Sequence, residues 1–238
     1  MSDLEITELP HAKPLLPENQ NWIEKYRPQT IEACVLTQKA KMLLTRLSKA
    51  ENIPNIMLVG DYGVGKTTLA RLLAISIMKG KEDVWQLHNH FERFTMASAA
   101  KQTGELLERL TPTRLWNDIR LLWVLDEFDK LSLDYQIRFL GVLEEETHRN
   151  GFILTANDLS AVHRGIQDRC TILTIDLQNN EEEIKPQMVK LGELILNTEK
   201  VAFKTCDLQS LVENQWFAPR SFVADLQTYS IGGELIIL

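Results

Sequence analysis

"GDYGVGKTT", Gly60 to Thr68, decides how the rest of this chain is read. It grows out of "NIMLVG" (55–60), a continuous apolar run ending in glycine, as a buried parallel strand would. Behind it, Thr67 to Met78 place Leu69, Leu72, Leu73 and Ile77 on one helical face. A glycine, four residues, glycine, lysine and threonine therefore sit between a strand and a helix. Each residue type has a chemical reason to be there. Gly60, Gly63 and Gly65, with Val64 between the last two, let backbone N–H groups wrap phosphate oxygens. The helix start at Thr67 and Thr68 adds its partial positive charge. Lys66 reaches the β- and γ-phosphates, and Thr67 offers its hydroxyl to Mg²⁺. A glycine-rich turn with an incidental lysine is the alternative, and the strand–loop–helix setting argues against it.

The flanking pattern extends this unit. Helices are expected over Gln38–Lys49, Lys101–Leu110 and Asp134–Glu146. Strands are expected within Arg93–Ser98 and at 121–129 ("LLWVLDEFD"), 151–158 ("GFILTAND") and 170–175. Strands alternating with helices imply an α/β fold with a mostly parallel sheet. After about residue 176 only helical patterns remain, so a small all-helical domain is placed at 177–231, behind a phosphate-binding domain at 21–176. Residues 1–20 read as an extended N-terminal arm.

Composition sets bounds. The 238 residues suffice for one large domain or a medium domain plus a small one. A net charge of −7 argues against indiscriminate binding to nucleic acid but leaves room for a local basic groove. Cys34, Cys170 and Cys206 lie far apart, which suggests neither a zinc knuckle nor a disulfide framework, and fits a reducing cytoplasm. "MSDLEITELP" lacks the features of a signal peptide, and no apolar run approaches a membrane span, so no membrane partner is expected. His88 and His90 alternate without a third ligand. Trp85, Trp116, Trp123 and Trp216 read as core.

Further residues carry chemistry. Asp126 and Glu127 end a buried strand, where ligands bind in open α/β sheets. Two carboxylates there are costly without a cation, and Mg²⁺ at the phosphates supplies one. Asp126 would hold the metal through water, and Glu127 would activate an attacking water. Solvent-facing carboxylates, or an N-cap, are the alternative. Asn157 ends the next strand and could sit beside the same phosphate, or merely form an Asn-Asp turn with Asp158.

This set resembles an AAA+ ATPase, with Gly60–Thr67 as Walker A, Asp126 and Glu127 as Walker B, and Asn157 as sensor 1. "NWIEKYRPQTIEACVL" (21–36) is similar to the clamp-loader branch, meaning replication factor C small subunits and the ATPase subunit of T-even-type phage clamp loaders. In those proteins the matching stretch, here Lys25, Tyr26, Arg27 and Pro28, lies against the adenine end of the nucleotide. The resemblance makes Arg169, in "DRC" (168–170), the arginine finger that reaches a neighbouring subunit's γ-phosphate. Asp168 replaces the family's serine and could pair with the finger when no neighbour is bound; a plain Arg169–Asp168 surface pair is the alternative. Arg220, in "FAPRSFVADLQ" (217–227), matches sensor 2 without the family's glycine, and could instead be a surface arginine at a helix start.

What the resemblance implies is an ATP-hydrolysing, Mg²⁺-dependent subunit of a sliding-clamp loader. Its expected partners are neighbouring AAA+ subunits in a pentamer, the clamp and primer–template DNA. Its expected place is the cytoplasm, or the host cytoplasm if phage-encoded. Lys101, Lys130 and Arg138 are candidate DNA contacts. Residues 232–238 are read as the start of a missing or truncated collar domain. Two alternatives stay open: another AAA+ ATPase of replication or recombination, and a nucleotide-bound assembly subunit that does not hydrolyse.

Overall fold

The structure is a computed structural model that describes residues 21–50, 54–79, 85–87, 92–93, 120–145 and 150–237. The expected arm at 1–20, the expected helix at 101–110 and its Lys101, and His88, His90 and Trp116 lie outside those residues. The described elements run α1 (Trp22–Lys25), α2 (Gln38–Ser48), β1 (Ile56–Gly60), α3 (Lys66–Met78), β2 (Trp85–Leu87), β3 (Glu92–Arg93), β4 (Arg120–Asp126), α4 (Leu133–Glu145), β5 (Asn150–Ala156), α5 (Arg164–Gln167), β6 (Thr171–Ile175), α6 (Glu181–Glu199), α7 (Thr205–Gln215) and α8 (Pro219–Tyr229). The strands form one sheet in the order β2-β4-β5-β1-β6, with β3 also pairing with β4. Every pairing is parallel.

The apolar runs in the sequence explain this sheet. A parallel sheet is covered on both faces, so its strands have no polar side. Along β1, Ile56 and Leu58 join one apolar cluster while Met57 and Val59 join the other. β4 divides the same way, Leu122 and Val124 against Trp123 and Leu125. The first cluster receives α2 and α3 through Leu44, Leu69 and Leu73. The second receives α4 through Phe139 and Leu143, and Phe139 stacks edge-on against Phe152 of β5.

β4 stops at Asp126, three residues short of the expected end. Glu127 turns into the left-handed region (φ 55) and a single turn of 3₁₀ helix follows at Phe128–Lys130. β2 was not expected from the sequence; it is three residues long and takes its register from β4.

After β6 the chain is helical. Ile184, Met188, Leu208, Phe222 and Leu226 of α6 to α8 are buried in the same cluster as α3, so one apolar core runs from the sheet's helices into this segment. Pro219 opens α8, where its missing N–H has no partner to lose. Beyond α8, Gly232 and Gly233 turn at positive φ, Glu234 bridges Ala202, and Leu235 is buried. Among the described residues no helix is long and apolar enough to cross a membrane.

Gly60 marks where the sheet hands over to the phosphate loop. It pairs with Ile175 of β6, and a Cβ at this position would lie 2.6 Å from the Ile175 carbonyl oxygen. Backbone cannot yield as a side-chain tip can. Gly60→Ala is expected to lower the unfolding free energy by about 2 kcal/mol, seen as a lower urea midpoint at unchanged slope; an unchanged midpoint would show that β1 and β6 are less tightly joined than described.

Candidate nucleotide-binding site

One cleft of about 400 Å³ opens at the carboxyl ends of β1, β4 and β5. Its floor is the loop from Tyr62 to Thr68. Gly63 (φ 80) and Gly65 (φ 93) hold left-handed conformations that a side chain would strain, and Gly65 directly precedes α3. The loop's N–H groups and the start of α3 are thus set to face an anion.

Lys66 is 8 % exposed. Its ammonium donates to the carbonyls of Gly60 and Asp61, both at 2.7 Å. Burial pulls its pKa below the ordinary lysine value, opposed by the carboxylates of Asp126, Asp129, Asp61 and Glu127. Opposite it, Asp126 is 5 % exposed. The Thr67 hydroxyl lies 2.9 Å from each of its carboxylate oxygens, and the Thr155 hydroxyl donates to Oδ1 at 2.6 Å. Thr155 also accepts the N–H of Glu127 at 2.9 Å, which holds Glu127 in its left-handed turn at the cleft. Thr67 and Asp126 present hard oxygen donors on one wall, a set that suits Mg²⁺. Among the described residues no group of three or more His, Cys, Asp or Glu side chains is placed to hold a metal by itself. A hydroxyl and one carboxylate instead fit an ion that shares its coordination with substrate phosphates and water.

Asn157 and Arg220 also line the cleft. The backbone N–H of Arg220 donates to the Gly63 carbonyl at 3.3 Å, so the start of α8 rests on the phosphate loop despite the absent glycine. Tyr26, Arg27 and Pro28 line it too, with the apolar side chains of Val35, Leu36, Leu191 and Val223 beside them. Lys25 is not among them. Its ammonium pairs with Glu199 of α6 at 2.6 Å, and the Tyr26 hydroxyl bonds the same carboxylate. Burial, then Glu199, push the Tyr26 pKa well above the usual phenol value. Burial alone would raise Glu199, but Lys25 and Tyr26 outweigh it and its carboxyl sits below the usual range. The segment expected at the nucleotide is therefore anchored on one side and exposed to the cleft on the other.

Arg169 stands outside the cleft. Its guanidinium pairs with Glu144, not with Asp168, because Asp168 is taken by Arg164 at 3.1 Å. The adjacent residues in sequence point to different partners, so the alternative of an Arg169–Asp168 pair is not what the structure holds. Lys130 bonds the Tyr62 hydroxyl at 3.2 Å and lies over its ring, and Arg138 pairs with Asp134 at 3.1 Å.

A family model described as IstB-like ATP binding protein matches residues 16–173, well over half of the chain. The chain belongs to this AAA+ family. Its curated relatives include replication factor C small subunits. The one from Methanosphaera stadtmanae is 32 % identical over 157 residues, covering 63 % of this chain and 46 % of its own length. The one from Methanothermobacter thermautotrophicus is 30 % identical over 203 residues, covering 82 % and 58 %. The chain thus spans about half the length of the curated relatives it matches. Among solved structures, the Holliday junction branch migration motor RuvB of Thermotoga maritima superposes with a TM-score of 0.63 at 16 % identity, covering 90 % of this chain and 70 % of that one. At that identity the likeness concerns the fold. The module is an AAA+ domain, similar in sequence to replication factor C small subunits and in fold to RuvB.

Thr155 is the site residue that sequence reasoning missed. Its one signal is a lone polar side chain inside the apolar run "FILTA" of a buried strand. Thr155→Val keeps the shape but removes the hydroxyl that donates to Asp126 and accepts from the Glu127 N–H. The expected cost is about 2 kcal/mol of stability, together with a clear loss of ATP turnover at retained ATP binding. Turnover and melting equal to wild type would show that this AAA+ site does not depend on the threonine.

Proposed function

We propose that this chain is an ATP-hydrolysing subunit of a sliding-clamp loader, which uses ATP to assemble with neighbouring subunits, open a clamp and place it on primer–template DNA. The observation that carries the reading is the convergence of Lys66, Thr67, Asp126, Glu127, Asn157 and Arg220 on one cleft, joined to relatives named for replication factor C. Each side chain has a role in that reaction. The phosphate loop and Lys66 bind the β- and γ-phosphates in place of the Gly60 and Asp61 carbonyls. Mg²⁺, held by Thr67 and Asp126, would neutralise charge on the phosphates. Glu127 accepts a proton from the water whose oxygen attacks the γ-phosphorus, while the bond to the β-phosphate oxygen breaks and ADP leaves with its electron pair. Asn157 and Arg220 read the γ-phosphate from β5 and α8.

The apolar wall at Tyr26–Pro28 and Val35–Leu36 takes the base, with Leu191 and Val223 closing from the helical segment. Residues 177–231 then act as a lid. They touch both the base end and, through Arg220, the phosphate loop, so a change at the γ-phosphate alters how the lid sits. Arg169, exposed outside its own cleft, is the finger offered to the next subunit. Lys130 and Arg138 remain candidate DNA contacts, held by Tyr62 and Asp134 in the free subunit.

The test is steady-state ATP turnover with and without primer–template DNA across a range of protein concentration. The reading predicts turnover that rises with both, and Arg169→Ala that removes the rise. Turnover that ignores DNA and concentration would favour an ATPase of another kind, and ATP binding without any turnover would favour an assembly subunit.

A further inference from the structure

Arg169 is held from two sides. Its Nη1 donates to the Gly165 carbonyl at 2.9 Å, and its Nη2 pairs with the Glu144 carboxylate. Gly165 belongs to α5 and Glu144 to the last turn of α4. Those two helices form one body. Gln136 of α4 is 1 % exposed; it donates to the carbonyls of Leu131 at 3.0 Å and Ala161 at 2.9 Å, and accepts the N–H of His163 at 2.7 Å. Phe139, Leu143 and Ile166 are buried in the same cluster.

A stability role does not account for the pair. The side chains of Arg169 and Glu144 are 38 % and 50 % exposed, and exposed ion pairs contribute little to folding. Geometry suggests another use. A free arginine loses rotamer freedom when it docks on a phosphate. Here that freedom is already lost, while a guanidinium with five N–H donors keeps several for a new acceptor. The half-exposed carboxylate is screened by water, so it aims the cation without cancelling its field.

We propose that Glu144 is a positioning residue that holds Arg169 ready for the neighbouring subunit's γ-phosphate. The proposal rests on the reading of Arg169 as the finger. α4 starts just past the Asp126–Glu127 turn and ends on the finger, so a rigid helix links each subunit's own nucleotide site to the group it offers its neighbour.

The experiment measures ATP turnover of the full chain against protein concentration, with ATP affinity, for wild type, Glu144→Ala, Glu144→Gln, Arg169→Ala and the double Glu144→Ala/Arg169→Ala. Glu144→Ala is expected to lower the plateau rate about 3- to 30-fold at unchanged ATP affinity. Glu144→Gln, which still accepts a hydrogen bond, recovers part of it. The double variant is no slower than Arg169→Ala, since Glu144 acts only through Arg169. A plateau for Glu144→Ala at or above wild type overturns the proposal, as does weakened ATP binding or a double variant slower than Arg169→Ala. Concentration-dependent turnover that survives Arg169→Ala, or wild-type turnover with no concentration dependence, overturns the finger reading and the proposal with it.

Discussion

Two opposite charges are buried at the mouth of one parallel sheet, and the surrounding structure is arranged to make that tolerable. Lys66 and Asp126 are both almost fully buried. A buried charge without partners is costly by several kcal/mol. Neither group is left so. The ammonium takes two loop carbonyls, and the carboxylate takes two hydroxyls. The loop carbonyls are available because Gly63 and Gly65 permit the backbone to wrap inward. The hydroxyls are available because β4 lies between β5 and the start of α3, one supplying Thr155 and the other Thr67. Such a cleft is built for a ligand that brings both negative oxygens and a cation.

Around this centre the fold places further groups along the cleft. α8 reaches the phosphate loop through Arg220, and α1 brings Tyr26 and Arg27 to the opposite end while Lys25 and Tyr26 tie it to α6. The helical segment is therefore in contact with both ends of one cleft. On the proposed reading, a change in the number of phosphates alters the contacts of Arg220 and not those of Tyr26, and that asymmetry is what a nucleotide-driven movement requires.

The parts of this site that are local in sequence were legible there. The phosphate loop is a contiguous spacing, and Asp126-Glu127 ends a visible apolar run. The left-handed turn at Glu127 was not legible, because it depends on Thr155 of a neighbouring strand and therefore on the register of β4 with β5. That same turn ended the strand earlier than hydrophobicity implied. Lys25 was placed with the nucleotide by resemblance, but its partner Glu199 lies 174 residues away, and no local pattern announces it. The rivals for Asp168 and Arg169 were hidden for a similar reason: helical spacing gives Asp168 to Arg164, while Glu144 arrives from a different helix. The six-stranded parallel order agrees with the alternating pattern, whereas β2, three residues long, carries too little periodicity to be seen.

Lys66 and the loop around it are the part of the proposed ATP site on which the other roles depend. The decisive experiment is calorimetric titration of ATP with Mg²⁺ into the full chain and into Lys66→Ala. The expected result is one site per chain in the wild type and an affinity at least about tenfold weaker in the variant, the change expected when a charge-assisted contact to phosphate is removed. Equal affinity in the two proteins would contradict it.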